Sequence, residues 1–354
     1  EVGLTIELLN TNDNIRVSSS EISSEKLYYR FDGDRIGDVS TFASSPSTTN
    51  IINTGADTES LTEVTDLSTL DYLFSKMRLI RTEDNIYNIR IKELQLFING
   101  ENKASNTKFG LSYINTAGES NATNDITKIN DNNVAYSDTN FISSSTDIGI
   151  SVGINFNSYF SKYDIEAIVY YNLQDGVQQN NSDGLRFELL NVNDNIRFSS
   201  TSLTGKKFVL YSGPRIGDAT TVTGRSSTQI IDMGDSQMEY PTEVADLGTL
   251  NYLFSKVRVI ITAKVASNGN DPRCRELQMF IAGDNKMIGN DAFASPTKDV
   301  SNLNDANLNT TNAFNFAQIG DYFGVNLNSY FSKYDIESIV YYNQNSGINE
   351  AKYQ

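Results

Sequence analysis

The run Ile148-Gly-Ile-Ser-Val-Gly-Ile-Asn-Phe156 sets an apolar side chain at every second residue, with a small or polar one between. Successive side chains of an extended strand point to opposite faces, so this stretch gives one face to a core and the other to water. The same period of two runs through Leu4, Ile6 and Leu8, through Leu27, Tyr29 and Phe31, and through Leu94, Leu96 and Ile98. Clusters of turn-forming residues separate the runs: Asn12-Asp13-Asn14, Asp32-Gly33-Asp34, Asn99-Gly100 and Asn130-Asp131-Asn132-Asn133. Helix is scarce. Thr62 to Lys76 is the best helical candidate, with Thr62 as its cap, and a short turn-rich segment fits it equally well. The reading is an all-β chain of tandem antiparallel β-sandwich domains.

The chain also repeats itself. GLTIELLNTNDNIRVSSS from Gly3 returns as GLRFELLNVNDNIRFSST from Gly184, and TEVTDLSTLDYLFSK from Thr62 returns as TEVADLGTLNYLFSK from Thr242. KELQLFINGENK from Lys92 returns as RELQMFIAGDNK from Arg275. NFNSYFSKYDIEAIVYYN from Asn155 returns as NLNSYFSKYDIESIVYYN from Asn326. The repeat units span 3–172 and 184–343, and the second is shorter between the positions matching Asn99 and Asn155.

Composition narrows the function. The 354 residues carry 44 acidic and 28 basic side chains, a net charge of -16 that repels nucleic acid and anionic membranes. The absence of His removes the commonest general base, the Ser/His and Cys/His pairs and most zinc sites. The lone Cys274 excludes an intrachain disulfide; beside Arg273 and Arg275 and without a His partner, it reads as a structural thiol. No apolar run reaches a membrane span and no signal peptide is present. The start at Glu1 rather than Met suggests a processed chain or a piece of a longer one. Sequons at Asn121, Asn180 and Asn309 are what chance supplies in an Asn-rich chain.

The block RIKELQLFINGENKA, then INDNNVAY, then ISVGINFNSYFSKYDIEAIVYYN, then GLRFELLNVNDNIRFSS with KKFVLYSGP, resembles a discoidin-like, galactose-binding-like jelly-roll domain. In particular it resembles divergent tandem copies from large DNA viruses of algae and protists and from plankton surface proteins. The resemblance covers Ile89 to about Asp218. It implies a complete unit at 87–218, a closing half at 1–39, an opening half at 273–354, and connecting segments at 40–86 and 219–272. The half-units would belong to a longer tandem protein, close on each other within one chain, or close on neighbouring chains as a strand-exchanged polymer. Discoidin domains commonly carry Trp in the core strand and a disulfide joining their ends; this chain has neither.

The resemblance also places a calcium-holding turn at Asp131 and Asn133, with Asp305 and Asn307 as equivalents, since hard cations take oxygen ligands. An ordinary Asx turn is the competing reading. The aromatic set Tyr159, Phe160 and Tyr163, repeated as Tyr330, Phe331 and Tyr334, would stack on a sugar or partner from a loop tip, or else plug the end of the sandwich. The Arg35-Ile36-Gly37-Asp38 turn, echoed at 215–218, reads as structural. No carboxylate pair stands out for glycoside cleavage.

The expectation is a non-enzymatic structural or adhesive surface protein, a viral fibre, spike or minor capsid component, at a virion surface or extracellular. Its partners would be other copies of itself, other surface or capsid proteins, and glycans, without nucleic acid or membrane insertion. The alternative is a calcium-dependent carbohydrate-binding module, with calcium as the one cofactor in view.

Overall fold

The computed structural model describes residues 3–19, 28–32, 51–53, 64–121, 124–133, 140–172, 179–203, 208–212, 230–232, 243–263, 273–310, 312–313 and 318–343. The turns at 35–38 and 215–218 lie outside the described residues.

The strands fall into four groups that follow the repeat. The first closing half holds β1 (Gly3–Leu9), β2 (Ile15–Ser18), β3 (Tyr28–Asp32) and β4 (Ile51–Asn53). The first opening half holds β5 (Leu73–Arg81), β6 (Arg90–Ile91), β7 (Glu93–Ile98), β8 (Glu101–Asn102), β9 (Ser112–Asn115), β10 (Phe141–Ile142), β11 (Ser151–Ser161) and β12 (Ile165–Tyr171). The second closing half holds β13 (Leu185–Leu190), β14 (Ile196–Ser199), β15 (Phe208–Ser212) and β16 (Ile230–Asp232). The second opening half holds β17 (Leu253–Ala263), β18 (Arg273–Ile281), β19 (Asp284–Asn285), β20 (Asp291–Ser295), β21 (Asn312–Ala313), β22 (Tyr322–Ser332) and β23 (Ile336–Asn343). Among the described residues the helical pieces are single short turns, and no helix is long and apolar enough to cross a membrane.

The chain divides into two compact units. Residues 66–247 form a continuous sandwich. One sheet runs β14-β13-β5-β11-β9 and the other β16-β15-β12-β7-β8, with all pairings antiparallel. Leu79 of β5, Ile154 of β11 and Phe187 of β13 meet Leu96 of β7 and Ile168 of β12 in one core, each at zero exposure. Alternation set this core, because every second residue of each strand turns inward.

Residues 1–65 and 248–354 form a composite sandwich. Its sheets run β2-β1-β17-β22-β20 and β19-β18-β23-β3-β4. Leu4, Ile6 and Leu8 of β1 join Val257 and Val259 of β17, Met279 of β18 and Ile339 of β23 in its core. Here β1 lies antiparallel on β17, with Leu8 opposite Val257, and β3 lies on β23, with Phe31 opposite Ile339. The first and last half-units therefore close on each other within one chain, the second of the three arrangements expected.

The stretches 40–86 and 219–272, expected to connect units, hold β4 with β5 and β16 with β17. The strand β5 is the middle strand of its sheet, flanked by β13 and β11; Met77 and Leu79 keep the inward alternation, and Phe74 also enters the core. The helical candidate at Thr62–Lys76 resolves, over its described part, into one 3-10 turn at Leu67–Thr69 followed by β5. Asp66 caps that turn, accepting the Ser68 N–H at 3.0 Å and the Ser68 hydroxyl at 2.6 Å. Gly153 and Gly324 sit where strands press together: a Cβ there would stand 2.1 Å from the Met77 carbonyl and 2.2 Å from that of Val257.

Candidate functional site

The first candidate is the acidic turn. In the continuous sandwich a 3-10 turn at Ile126–Asn130 leads into Asp131, capped by Asp125 accepting from the Thr127 N–H. Asn130 is buried, donates to the Ala104 carbonyl at 2.8 Å and accepts from the Tyr113 hydroxyl at 3.0 Å. Asp131 Oδ1 accepts the Asn133 N–H at 2.9 Å, which is an Asx turn, and Asn132 between them has φ 63°. The Asn132 amide donates to the Ser105 and Thr107 hydroxyls and accepts from Asn102.

The composite sandwich repeats the turn with fewer side-chain contacts. Asp305 Oδ1 accepts the Asn307 N–H at 2.9 Å, and Thr310 adds a hydroxyl to the same carboxylate at 3.0 Å. Ala306, at φ 62°, stands where the first copy has Asn132. It takes the left-handed conformation without the amide that eases it for Asn.

Two residues absent from the sequence-based candidates lie beneath these turns. Glu93 on β7 has zero exposure and accepts the Asn132 N–H at 3.2 Å through Oε1. Glu276 on β18 does the same for the Ala306 N–H at 3.1 Å. In each, Oε2 is buried without a partner among the described residues. Burial pushes the Glu93 carboxyl up to about 9, with Asp131 adding to the rise and the turn's N–H groups opposing it. Burial likewise pushes Glu276 up to about 8. Both are therefore protonated near neutral pH, and a cation at Oε2 would have to displace that proton.

A cation there would draw on Glu93 Oε2 and the Asp131 carboxylate, with carbonyl or water oxygens completing the six to eight that calcium takes. Among the described residues no group of three or more His, Cys, Asp and Glu side chains gathers as a metal site. Asn133 is brought beside Asp131 by its backbone. The sequence signal for the missed pair was an acid set against an apolar strand in both copies, Lys92-Glu93-Leu94 and Arg275-Glu276-Leu277.

The second candidate is the aromatic set. Tyr159, Phe160, Tyr330 and Phe331 sit on strands, and Tyr163 and Tyr334 in the 3-10 turns that follow them. The strand β11 bulges against β5 between Asn155 and Phe160, and β22 bulges against β17 over the equivalent stretch. The bulge turns rings inward: Phe160 lies 5.4 Å from Phe156 and 6.0 Å from Phe74, centroid to centroid. Phe331 packs on Phe254 at 6.3 Å. Tyr159 is half-buried; Tyr330 is half-buried with its hydroxyl 3.0 Å from that of Thr11. Tyr334 stacks on Tyr252 at 6.4 Å, with the Lys333 ammonium over its ring, 5.3 Å from the centroid. Tyr163 lies in a 3-10 turn at Lys162–Asp164.

Cys274 is buried, and burial pushes its thiol well above the ordinary range, which suits a structural role. Side chains at matching repeat positions also stay exposed: Ile15 and Ile196 at 50% each, Ile148 at 55% and Ile319 at 62%. No protein-family model, no curated protein and no solved structure matches the chain.

Proposed function

We propose that this chain is a non-enzymatic structural or adhesive surface protein, a virion fibre, spike or minor capsid component, built of discoidin-like sandwiches and working through shape and contact. The observation that carries the reading is the duplication of a whole sandwich, with its joining contacts, inside one acidic chain. Repetition of a unit multiplies a contact surface, which suits arrays and adhesion. The perturbed carboxyls support it as well, because Glu93 and Glu276 each hold the backbone of a turn. Other copies, other surface or capsid proteins, and glycans are the partners this reading names.

Its test is location. Antibodies raised against the chain should label the surface of particles or cells from its source in immuno-electron microscopy. Labelling confined to the cytosol would contradict it.

A second reading is a calcium-dependent carbohydrate-binding module. It is favoured by the buried, unpartnered Oε2 of Glu93 and Glu276 beside Asp131 and Asp305, repeated in both units. Saturable binding on a glycan array, lost with chelator and with Asp131→Ala, would support it; binding unchanged by both would end it.

A further inference from the structure

A set of contacts that joins a closing half to an opening half occurs twice, although Arg16 Nε on the Leu253 carbonyl and Arg81 on the Asp183 carbonyl have no counterpart. Asn191 Nδ2 donates to the Ser68 carbonyl at 3.2 Å, and Asn10 Nδ2 donates to the Gly248 carbonyl at 3.1 Å. Arg197 reaches the same Ser68 carbonyl at 2.7 Å, and Arg16 the same Gly248 carbonyl at 3.0 Å. Lys76 pairs with Asp194 at 2.6 Å and Lys256 with Asp13 at 2.7 Å. Arg78 pairs with Glu188 at 2.7 Å and Arg258 with Glu7 at 2.6 Å. The register agrees too: Leu190 faces Lys76 as Leu9 faces Lys256. Even the connectors match, with Val244 N–H on the Gly100 carbonyl at 2.8 Å and Val64 N–H on the Gly283 carbonyl at 2.9 Å.

Connectivity is what differs. In the continuous sandwich the chain passes from β12 to β13 within residues 172–184, so opening and closing halves are covalent neighbours. In the composite sandwich the whole of 66–247 separates β4 from β17 along the chain. A second copy can supply β1–β4 with every one of those contacts intact, since the recognised surface is the same in either source.

We infer that copies of this chain join head to tail by exchanging residues 3–64, the closing half of one copy completing the 248–343 half of the next. The contact uses different surfaces on donor and acceptor, so exchange closes as a two-fold pair when it is reciprocal and builds an open series when it is passed on from copy to copy. Because self-closure and exchange make the same contacts, the balance between them is set by the effective concentration of the tethered segment. The inference goes beyond the proposed function and stands whether the protein is displayed on a virion or binds glycans.

The experiment adds one cysteine to each full-length copy, beside the native Cys274. Thr5 lies opposite Ile260 across β1 and β17, and directly opposed antiparallel residues have Cα separations of about 4.5–5.5 Å, within disulfide reach. Thr5→Cys and Ile260→Cys chains are unfolded together, refolded from about 10 µM to 1 mM, and oxidised. Cys274 stays in place because it is buried. The expected result is an interchain 5–260 disulfide, mapped by peptide mass, whose yield rises several-fold across that range. The double variant in dilute solution is the control and should close the bond within one chain. Closure of the control without any interchain bond at 1 mM overturns the exchange. Failure of the control to close overturns the exchange together with the β1–β17 pairing.

Discussion

Glu188, at zero exposure in β13, accepts two hydrogen bonds on Oε2 from Arg78 of β5, at 2.9 and 2.7 Å from Nε and Nη2. Arg186 closes on the other oxygen at 2.9 and 2.6 Å. A buried carboxylate so held has all its strong acceptor sites engaged, and removing one cation strands part of the charge. Arg78→Ala should destabilise the continuous sandwich by about 2–3 kcal/mol in urea unfolding, discounted from the fully buried case because the arginines keep some solvent. Arg78→Ala and Glu188→Gln combined should cost less than the sum of the two. Full additivity would show that the pair is not coupled.

Glu93 and Glu276 make stability depend on pH. In the folded chain they hold protons up to about 9 and about 8, against an ordinary value of 4.5. Between those limits the folded state binds more protons than the unfolded one. Their contribution is thus complete below pH 4.5 and is lost as pH climbs through 8 and 9. The slope is at most about 1.4 kcal/mol per pH unit for each group. Glu93→Gln, which imitates the protonated acid, should match the parent within about 1 kcal/mol at pH 5 and exceed it by up to about 5 kcal/mol at pH 9. Urea titrations at both values check this; parallel curves would rule out the buried proton.

The turn at Asn99-Gly100 should not tolerate a side chain. Gly100 has φ +70°, and a Cβ there would meet the Val244 Cβ at 2.6 Å. The Gly100 N–H also donates to both oxygens of buried Glu166, at 3.0 and 2.8 Å. Gly100→Ala should lower stability by about 2–3 kcal/mol, from left-handed strain plus displacement of Val244. Thermal melts of the variant and parent decide it, and an unchanged midpoint would mean that the connector does not clamp this turn.

Among the aromatics, packing and binding separate by position. Phe160→Ala should cost about 1–2 kcal/mol, because its half-buried ring packs against the core rings of Phe74 and Phe156. Tyr159→Ala, at a half-buried site, should stay within about 1 kcal/mol. Equal losses in chemical denaturation would contradict the inward turn of the bulge.

Alternation made the sandwiches legible: Leu4, Ile6, Leu8 and Leu94, Leu96, Ile98 all turn into cores. The Asx turn at Asp131 was legible from its turn-forming residues. Which half pairs with which was not, because β1 and β13 carry nearly the same residues and either fits either opening half. Nor was the start of β5. Thr62, the expected helix cap, lies outside the described residues; Asp66 caps only a 3-10 turn, and from Met77 the strand period wins. Glu93 was hidden for a related reason: it sits on the outward face of a strand, and its burial depends on the distant turn at 131–133. The inward path of Phe160 depends on a bulge that no local spacing announces.

The most direct test of the composite sandwich is zero-length carbodiimide cross-linking of the native chain in dilute solution. Lys256 Nζ lies 2.7 Å from Asp13, and Lys76 lies 2.6 Å from Asp194 as the internal reference. Both links, recovered as peptides from the monomeric fraction, are the predicted result. A Lys76–Asp194 link without any Lys256–Asp13 link would contradict the closure of the first half-unit on the last.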